Sequence, residues 1–120
     1  MTAETIKLVR LQDSRLFSPE TGLSRQVLAY SGKLMLVRHL MEEGWIGPRH
    51  SHPHEQLVYI IRGHIQFRGE DTTFDARTGD SFVVPGGMEH QASAVEESEV
   101  LDLFTPVRED YVETGSEMNR

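Results

Sequence analysis

Histidines are concentrated in one short stretch of this sequence. Of the six histidines, three lie within one hexapeptide, at His50, His52 and His54, and His90 follows further along the chain. Neutral imidazoles are common ligands of first-row transition metals, and His50 and His52 would face one side of an extended segment because alternate residues share a face. The pattern predicts a metal site built from His50 and His52, with His90 as the ligand from a distant part of the chain.

The identity of the fourth metal ligand is not decided by this pattern. Pro53 interrupts the strand, so parity alone does not decide between His54, Glu55 and Gln56. The alternative to a metal site is a solvated histidine-rich loop.

A second group of polar residues lies near the end of the chain. Alternation places Asp102 and Phe104 on one face of a strand, with leucines on the other face. A carboxylate between leucines is expected to face a wet, paired or functional environment. Arg108 follows a proline turn and is placed to fold over a cavity mouth. The alternative is an exposed Asp102, with an Arg108 that only pairs with Glu109 or Asp110.

The elements that must position these residues are short and rich in β-forming side chains. Turn residues separate runs that recur about every ten residues, which is typical of an all-β sandwich or barrel. The predicted strands cover residues 6–11, 26–30, 34–40, 56–61, 64–67, 81–84, 90–95 and 100–104. His39 and His64 lie on predicted strands without a motif role, and we expect them to be structural or surface histidines.

Composition excludes several classes of function. With 12 basic and 19 acidic side chains the net charge is −7, which disfavours a nucleic-acid or anionic-membrane partner. The absence of cysteine excludes disulfides and thiolate metal sites. The start of the chain has no apolar run followed by a cleavage site, so we expect a cytoplasmic protein.

The histidine stretch forms part of a longer pattern. Gly44, His50, His52, Gln56 and Gly63 follow the spacing of the first motif of the cupin superfamily, with Gln56 where that motif has Glu. Farther along, the second cupin motif is matched by Gly79, Pro85, Gly87 and His90, with Ala94 in place of its final Asn. The chain therefore resembles the cupins at eight positions of the two motifs.

The resemblance implies an all-β double-stranded β-helix, a jelly-roll barrel, with one divalent metal ion inside: nickel, zinc, manganese or iron. We expect a single cupin domain over residues 1–113, with the motifs at 44–63 and 79–94, and a frayed tail over 114–120. The metal ligands that the resemblance implies are His50, His52, Gln56 and His90.

Within the cupins, the sequence resembles the KdgF-like family of bacterial pectin and alginate breakdown over about residues 34–111. The resemblance rests on the histidine motif, on Asp102 and Phe104, and on the segment around Arg108. It implies an isomerase or lyase-type enzyme that opens the ring of 4,5-unsaturated uronates, small anionic sugars. Asp102, Arg108 and Phe104 would be its catalytic residues, the last two also contacting the substrate.

Two alternatives of other classes remain: a cupin oxygenase or oxidase, and a non-catalytic binding module. Gln56 offers only a neutral amide oxygen, which favours Lewis-acid over redox chemistry because the metal charge stays uncompensated. Tyr59 and Ile61 have the opposite parity to Gln56, so we expect them to face away from the cavity. The resemblance to small cupins, which are commonly dimers, implies a homodimer. We expect these two residues and the N-terminal strand to form its interface.

Overall fold

The chain folds into two antiparallel β-sheets in a computed structural model that describes residues 5–112. The strands are β1 (Leu16–Glu20), β2 (Leu23–Tyr30), β3 (Met35–Met41), β4 (Glu55–Arg62), β5 (His64–Arg68), β6 (Thr73–Arg77), β7 (Ser81–Val84), β8 (Gln91–Ala94) and β9 (Ser98–Thr105). A 3-10 helix covers Leu11–Asp13, and one helical turn covers residues 109–112. Within the described range, no helix is long and apolar enough to cross a membrane.

The larger sheet has six strands in the order β1-β2-β3-β9-β4-β7, and the smaller has three in the order β6-β5-β8. The chain crosses repeatedly between the sheets, so strands distant in sequence become neighbours. In particular, β9 lies between β3 and β4 and pairs antiparallel with both. This position brings the polar residues near the end of the chain to the middle of the large sheet.

The all-β prediction is confirmed, and seven of the predicted runs lie in β2, β3, β4, β5, β7, β8 and β9 with small shifts at their ends. The strand predicted at residues 6–11 is wrong. Residues 5–10 join no ladder, and Ile6 is fully exposed. The place beside β2 is taken by β1, whose Pro19 is tolerated because β1 is an edge strand. The predicted frayed tail at 114–120 lies outside the described residues.

Two strands, β1 and β6, were not predicted from the sequence. In β6, Phe74 and Ala76 alternate with polar residues between two turns, a signal that was present in the sequence. β1 has one buried residue, Phe17, and shows no alternation that would have identified it.

Side chains from both sheets meet in one hydrophobic core. Val58, Ile60 and Val100 of the large sheet pack with Ile65 and Phe67 of the small one. A smaller cluster of Met35, Val37 and Phe104 lies toward the C-terminal segment. The buried polar residues His39, Gln56 and Asp102 lie on the same inner face of the large sheet as these apolar residues, because alternation on each strand directs them inward.

One strip of the outer face of the large sheet is apolar. Leu57 of β4 lies opposite Val83 of β7 and Leu103 of β9, and Leu103 lies opposite Leu36 of β3. Leu57 and Val83 are each more than half exposed. We call these four residues, Leu36, Leu57, Val83 and Leu103, the outer row. Tyr59, which is also exposed, lies on the same face, as its parity predicts.

The turn between β4 and β5 requires a glycine. Gly63 has a φ of +109°, in the region that side chains rarely adopt. A Cβ at this position would also collide with the side chain of Ser98 and the carbonyl of Glu97. Close packing of this turn against the start of β9 fixes where β4 ends.

Candidate metal centre

Two separate segments bring the three motif histidines together. His50 and His90 form an isolated antiparallel bridge, in which each backbone N–H donates to the other's carbonyl at 3.0 and 2.8 Å. His52 follows in the loop before β4. One ring nitrogen from each of the three side chains lies within 4.8 Å of the others. The structure thus brings together the histidines that the spacing selected, across about forty residues of chain.

The loop that carries His52 rests on the turn of the second motif. The backbone N–H of Gly87 donates to the carbonyl of His52 at 2.8 Å. A Cβ at Gly86 would collide with the carbonyl of Pro53, so the two loops approach more closely than any larger residue allows. Backbone contacts therefore hold the two ligand-bearing segments together without the ligand side chains.

Each of the three rings is held in the same way. The Nδ1 atoms of His50, His52 and His90 lie 3.0, 3.0 and 2.9 Å from the carbonyls of Pro48, His54 and Met88. A carbonyl only accepts, so each Nδ1 carries the proton. In the neutral ring, Nε2 then keeps its lone pair, and this is how second-shell carbonyls orient metal-binding histidines.

Gln56 offers a fourth candidate ligand atom, its amide oxygen, and the orientation of this amide is fixed. Its Nε2 donates to Asp102 Oδ1 at 2.7 Å, which turns Oε1 toward His52 Nε2, 3.1 Å away. With the proton of His52 on Nδ1, two lone pairs face each other across that gap. A cation shared by both atoms relieves this mismatch, so the four side chains fit a metal ion on their own chemistry.

The electrostatics favour neutral histidines here. Burial lowers the pKa of His52 below the usual value, and the positive charges of Arg108 and His90 lower it further. Burial likewise lowers the pKa of His90. The hydrogen bond to the Met88 carbonyl opposes this, but His50 and Arg108 lower the pKa further, so the net shift is downward. Both rings therefore present lone pairs near neutral pH.

The other two candidates for the remaining ligand lie elsewhere. Glu55 is exposed, on the opposite face of β4 from Gln56. The ring of His54 packs near His52 and Phe104 at centroid distances of 5.6 and 6.5 Å, outside the cluster of three. Its Nδ1 is buried and has no hydrogen-bond partner among the described residues.

Asp102 is buried at 4% exposure, so the alternative of an exposed carboxylate is wrong. Its Oδ1 accepts from Gln56, and its Oδ2 lies 2.7 Å from Nδ1 of His39. The other nitrogen of that ring accepts from Nε of Arg25 at 3.0 Å. Sequence reasoning missed His39 and Arg25 as parts of the site, because only the pairing of β2, β3 and β9 brings them beside Asp102.

The C-terminal segment covers one side of the site. The Arg108 guanidinium carbon lies 5.2 Å from the centre of the Phe104 ring and 4.0 Å from that of Tyr111. Arg108 also pairs with Asp110, its Nη2 donating at 2.8 Å, so both interpretations of this arginine hold in part. Arg25 stacks on Tyr111 as well, at 3.8 Å. Burial raises the pKa of Tyr111, which stays a neutral phenol.

Most residues of the site line a cavity of about 250 Å³ between the sheets. Its apolar part is formed by core residues such as Val58 and Phe67, and its polar part includes His39, His50, His90, Gln56, Asp102, Arg25 and Arg108. That volume suits a small molecule of monosaccharide size. A concave apolar pocket with a few convergent polar groups has the form of a small-molecule site.

Two facing antiparallel sheets, with three histidines and an amide gathered where they could hold a metal ion, are typical of β-barrels of the jelly-roll class. The chain belongs to the cupin family: the Cupin domain family matches residues 37–104. It is 31% identical over 93 residues to the pectin degradation protein KdgF of Dickeya dadantii (strain 3937), a match that covers 76% of this chain and 84% of that protein.

Solved structures give the same relationship. KdgF from Halomonas sp. superposes with a TM-score of 0.82 at 31% identity, over 88% of this chain and 99% of that one. An RmlC-like cupin from Shewanella frigidimarina superposes with a TM-score of 0.83 at 28% identity, over 89% and 96%. The fold prediction is thereby confirmed as a cupin, and the chain resembles the KdgF proteins along most of its length.

Proposed function

We propose that this protein is a metal-dependent enzyme that opens the ring of 4,5-unsaturated uronate monosaccharides, an isomerase or lyase-type reaction. One observation carries the proposal: the amide of Gln56 connects the three-histidine cluster directly to a buried carboxylate, Asp102. The similarity to KdgF proteins of pectin degradation supplies the substrate class. The cavity volume and the two arginines that line it agree with a small anionic sugar.

The ligands would be Nε2 of His50, His52 and His90 and Oε1 of Gln56. All four are neutral donors, so a bound divalent cation, whether nickel, zinc, manganese or iron, keeps its full charge. Such an ion supplies Lewis-acid stabilisation of the negative charge that develops on the ring oxygen and the neighbouring carboxylate of the sugar.

Asp102 is the proposed acid and base. In the substrate, the ring oxygen belongs both to a hemiacetal and to an enol ether. When Asp102 takes the proton of the anomeric hydroxyl, the C–O bond of the hemiacetal breaks, the anomeric carbon becomes an aldehyde, and the ring oxygen leaves as an enolate. Return of one proton to the adjacent alkene carbon gives the open-chain keto uronate, so atoms and charge balance without an oxidant.

Arg108 and Phe104 are the proposed substrate-binding residues. A guanidinium binds a carboxylate through two parallel hydrogen bonds, and Arg108 already holds Asp110 in this manner. The sugar carboxylate would compete with Asp110 or share the guanidinium with it. Phe104, at 1% exposure, forms an apolar wall that lowers the local dielectric around the reacting groups.

A second copy of the chain is the proposed partner of the outer face of the large sheet. The outer row spans four strands and is apolar, so the same row of a second copy could pack against it under a two-fold axis. An uncovered apolar strip of this kind is unusual on a monomer. Multi-angle light scattering should give twice the chain mass of 13.7 kDa, and a monomeric mass would refute the homodimer.

The function is tested by adding metal-loaded protein to freshly lyase-generated unsaturated galacturonate and following loss of ultraviolet absorbance from the conjugated double bond. We expect loss that is faster than the spontaneous rate and absent from metal-stripped protein and from Gln56→Ala. An oxygen electrode run in parallel should show no uptake. Unchanged absorbance would reject ring opening, and oxygen consumption would favour an oxygenase.

A further inference from the structure

His39 lies behind the proposed catalytic carboxylate. We propose that His39 is a positioning residue that holds the Asp102 carboxylate in its orientation toward the metal centre, and that Arg25 selects the ring tautomer that does so. The consequence for catalysis rests on the proposed function, whereas the tautomer and its effect on the metal ligands do not. The juxtaposition itself follows from the strand pairing, because Arg25 lies directly opposite His39 in the β2–β3 ladder.

The proton positions follow from which atoms are obligatory donors. The Nε–H of Arg25 only donates, so Nε2 of His39, 3.0 Å away, must accept. The ring proton therefore lies on Nδ1 and donates to Asp102 Oδ2 at 2.7 Å. On the other side, the Gln56 amide donates to Oδ1 at 2.7 Å. One ring proton on His39 Nδ1 and two accepting oxygens on Asp102 satisfy every one of these contacts.

A second proton on His39 would break this arrangement. Protonation of Nε2 would place an N–H against the N–H of Arg25, two donors facing each other in a site where His39 is only 6% exposed. A proton that Asp102 takes from a substrate is therefore not passed on to His39. His39 acts as a fixed hydrogen-bond donor to the carboxylate and does not carry the proton away.

The same chain of bonds reaches the metal ligands. Asp102 fixes the amide of Gln56, which determines whether oxygen or nitrogen faces His52. Loss of the His39 bond frees the carboxylate to rotate, and the amide loses its fixed partner. Groups that orient ligands in this way typically contribute about 10- to 100-fold to metal affinity. His39 would therefore affect metal binding although it lies outside the ligand set.

The titratable groups that face His39 are Asp102, Arg25 and Tyr111. The Tyr111 ring lies edge-on at a centroid distance of 6.3 Å and is neutral. A second histidine–aspartate pair provides a matched control. His64 Nε2 lies 2.8 Å from Asp75 Oδ1, on the small sheet, and the side chain of Asp75 is 45% exposed. This pair has similar geometry but no connection to the metal centre.

The first measurement is the tautomer in the wild-type protein, read from a long-range proton–nitrogen NMR spectrum and assigned with His39→Asn. We expect a protonated Nδ1 and an unprotonated Nε2 on His39 at neutral pH, with and without Zn²⁺. A proton on Nε2 would overturn the proposal. This measurement needs no substrate and no altered protein beyond the assignment.

The second measurement is Zn²⁺ affinity, by competition with a chromophoric chelator. His39→Leu removes the donor and should weaken binding about 10- to 100-fold. His39→Asn, whose amide nitrogen can occupy the place of Nδ1, should restore most of it, and His64→Leu should change nothing. Equal affinity of the wild type and a folded His39→Leu would overturn the proposal, as would a loss that His39→Asn does not rescue.

The third measurement is the rate of ring opening, and it applies if that reaction is observed. His39→Leu should lower kcat about 10- to 100-fold with little change in KM, and should add almost nothing in an Asp102→Asn background, because it acts through Asp102. Full additivity of the two losses would reject a positioning role. If no ring opening occurs, the proposed function fails, while the NMR and zinc measurements still decide for or against His39.

Discussion

Neighbouring residues on β9 point to opposite faces of the large sheet and differ in polarity and burial. Asp102 faces inward and is buried, whereas Leu101 and Leu103 face outward and remain partly exposed. On most half-buried strands the apolar residues face the core and the polar ones face water. The inner face keeps its polar groups because each has a partner, and the outer face keeps its apolar groups although nothing in the described chain covers them. In the functions proposed above, the inner face carries the chemistry and the outer face carries the association.

The sharpest way to test this division is a pair of substitutions on adjacent residues. Asp102→Asn should lower turnover about 100- to 10,000-fold with the metal supplied in excess, because the proton acceptor is lost while the fold remains. Leu101→Asn, one residue away but on the outer face, should leave turnover per site within about twofold. Initial rates and circular dichroism measure both effects. Near wild-type activity of Asp102→Asn would remove the carboxylate from the mechanism.

Stability should divide along the same line. Phe104 is fully buried and contacts the rings of His52 and Tyr111, so Phe104→Ala should reduce the free energy of unfolding by about 3–5 kcal/mol. Val83→Ala on the outer row, at 55% exposure, should cost well under half as much, as measured by urea denaturation of both variants at one protein concentration. Similar costs for the two would show that the faces are equally packed.

Association should depend on the outer face alone. Leu103→Lys places a charge in the centre of the outer row and should convert the dimer to a monomer in light scattering, with the rate per site unchanged. Gln56→Ala, on the inner face, should stay dimeric while losing activity. A Leu103→Lys protein that keeps its dimeric mass would place the interface elsewhere.

The smallest expected effect concerns pH. Burial lowers the pKa of His52 and His90 in the folded protein, whereas the unfolded chain titrates near the ordinary value of 6.5. The unfolded state therefore binds protons first, and metal-free protein should lose stability as pH falls below about 6.5, by on the order of 1 kcal/mol per pH unit and group. Denaturant titrations between pH 7.5 and 5 measure the slope. His90→Gln, which cannot titrate, should show a shallower loss.

Most of the strands and the histidine-bearing segment could be predicted from the sequence. The spacing of Gly44, His50, His52, Gln56 and Gly63 identified the segment that carries three of the proposed ligands, because motif spacing records turns and strand parity together. The prediction of a strand at residues 6–11 was wrong, because alternation of apolar residues does not show whether a neighbouring strand is free to pair with them.

Arg25, His39 and Tyr111 were missed for a different reason. Each looks ordinary in its own segment, and their roles exist only where β2, β3, β9 and the C-terminal turn meet. A lone histidine on a strand is most often structural, and no local pattern distinguishes His39 from His64. Long-range strand order, which the sequence pattern does not specify, makes the difference between these two residues.

The backbone bonds between the two ligand-bearing segments have an evolutionary consequence. His50 and His90 exchange main-chain hydrogen bonds, and Gly87 bonds to the carbonyl of His52, so the segments are joined without using any ligand side chain. A ligand can therefore be exchanged while the framework around it stays in place. Gln56→Glu, for example, would replace the hydrogen bond to Asp102 by a second carboxylate and leave these backbone bonds untouched. The architecture allows new chemistries to be sampled one side chain at a time.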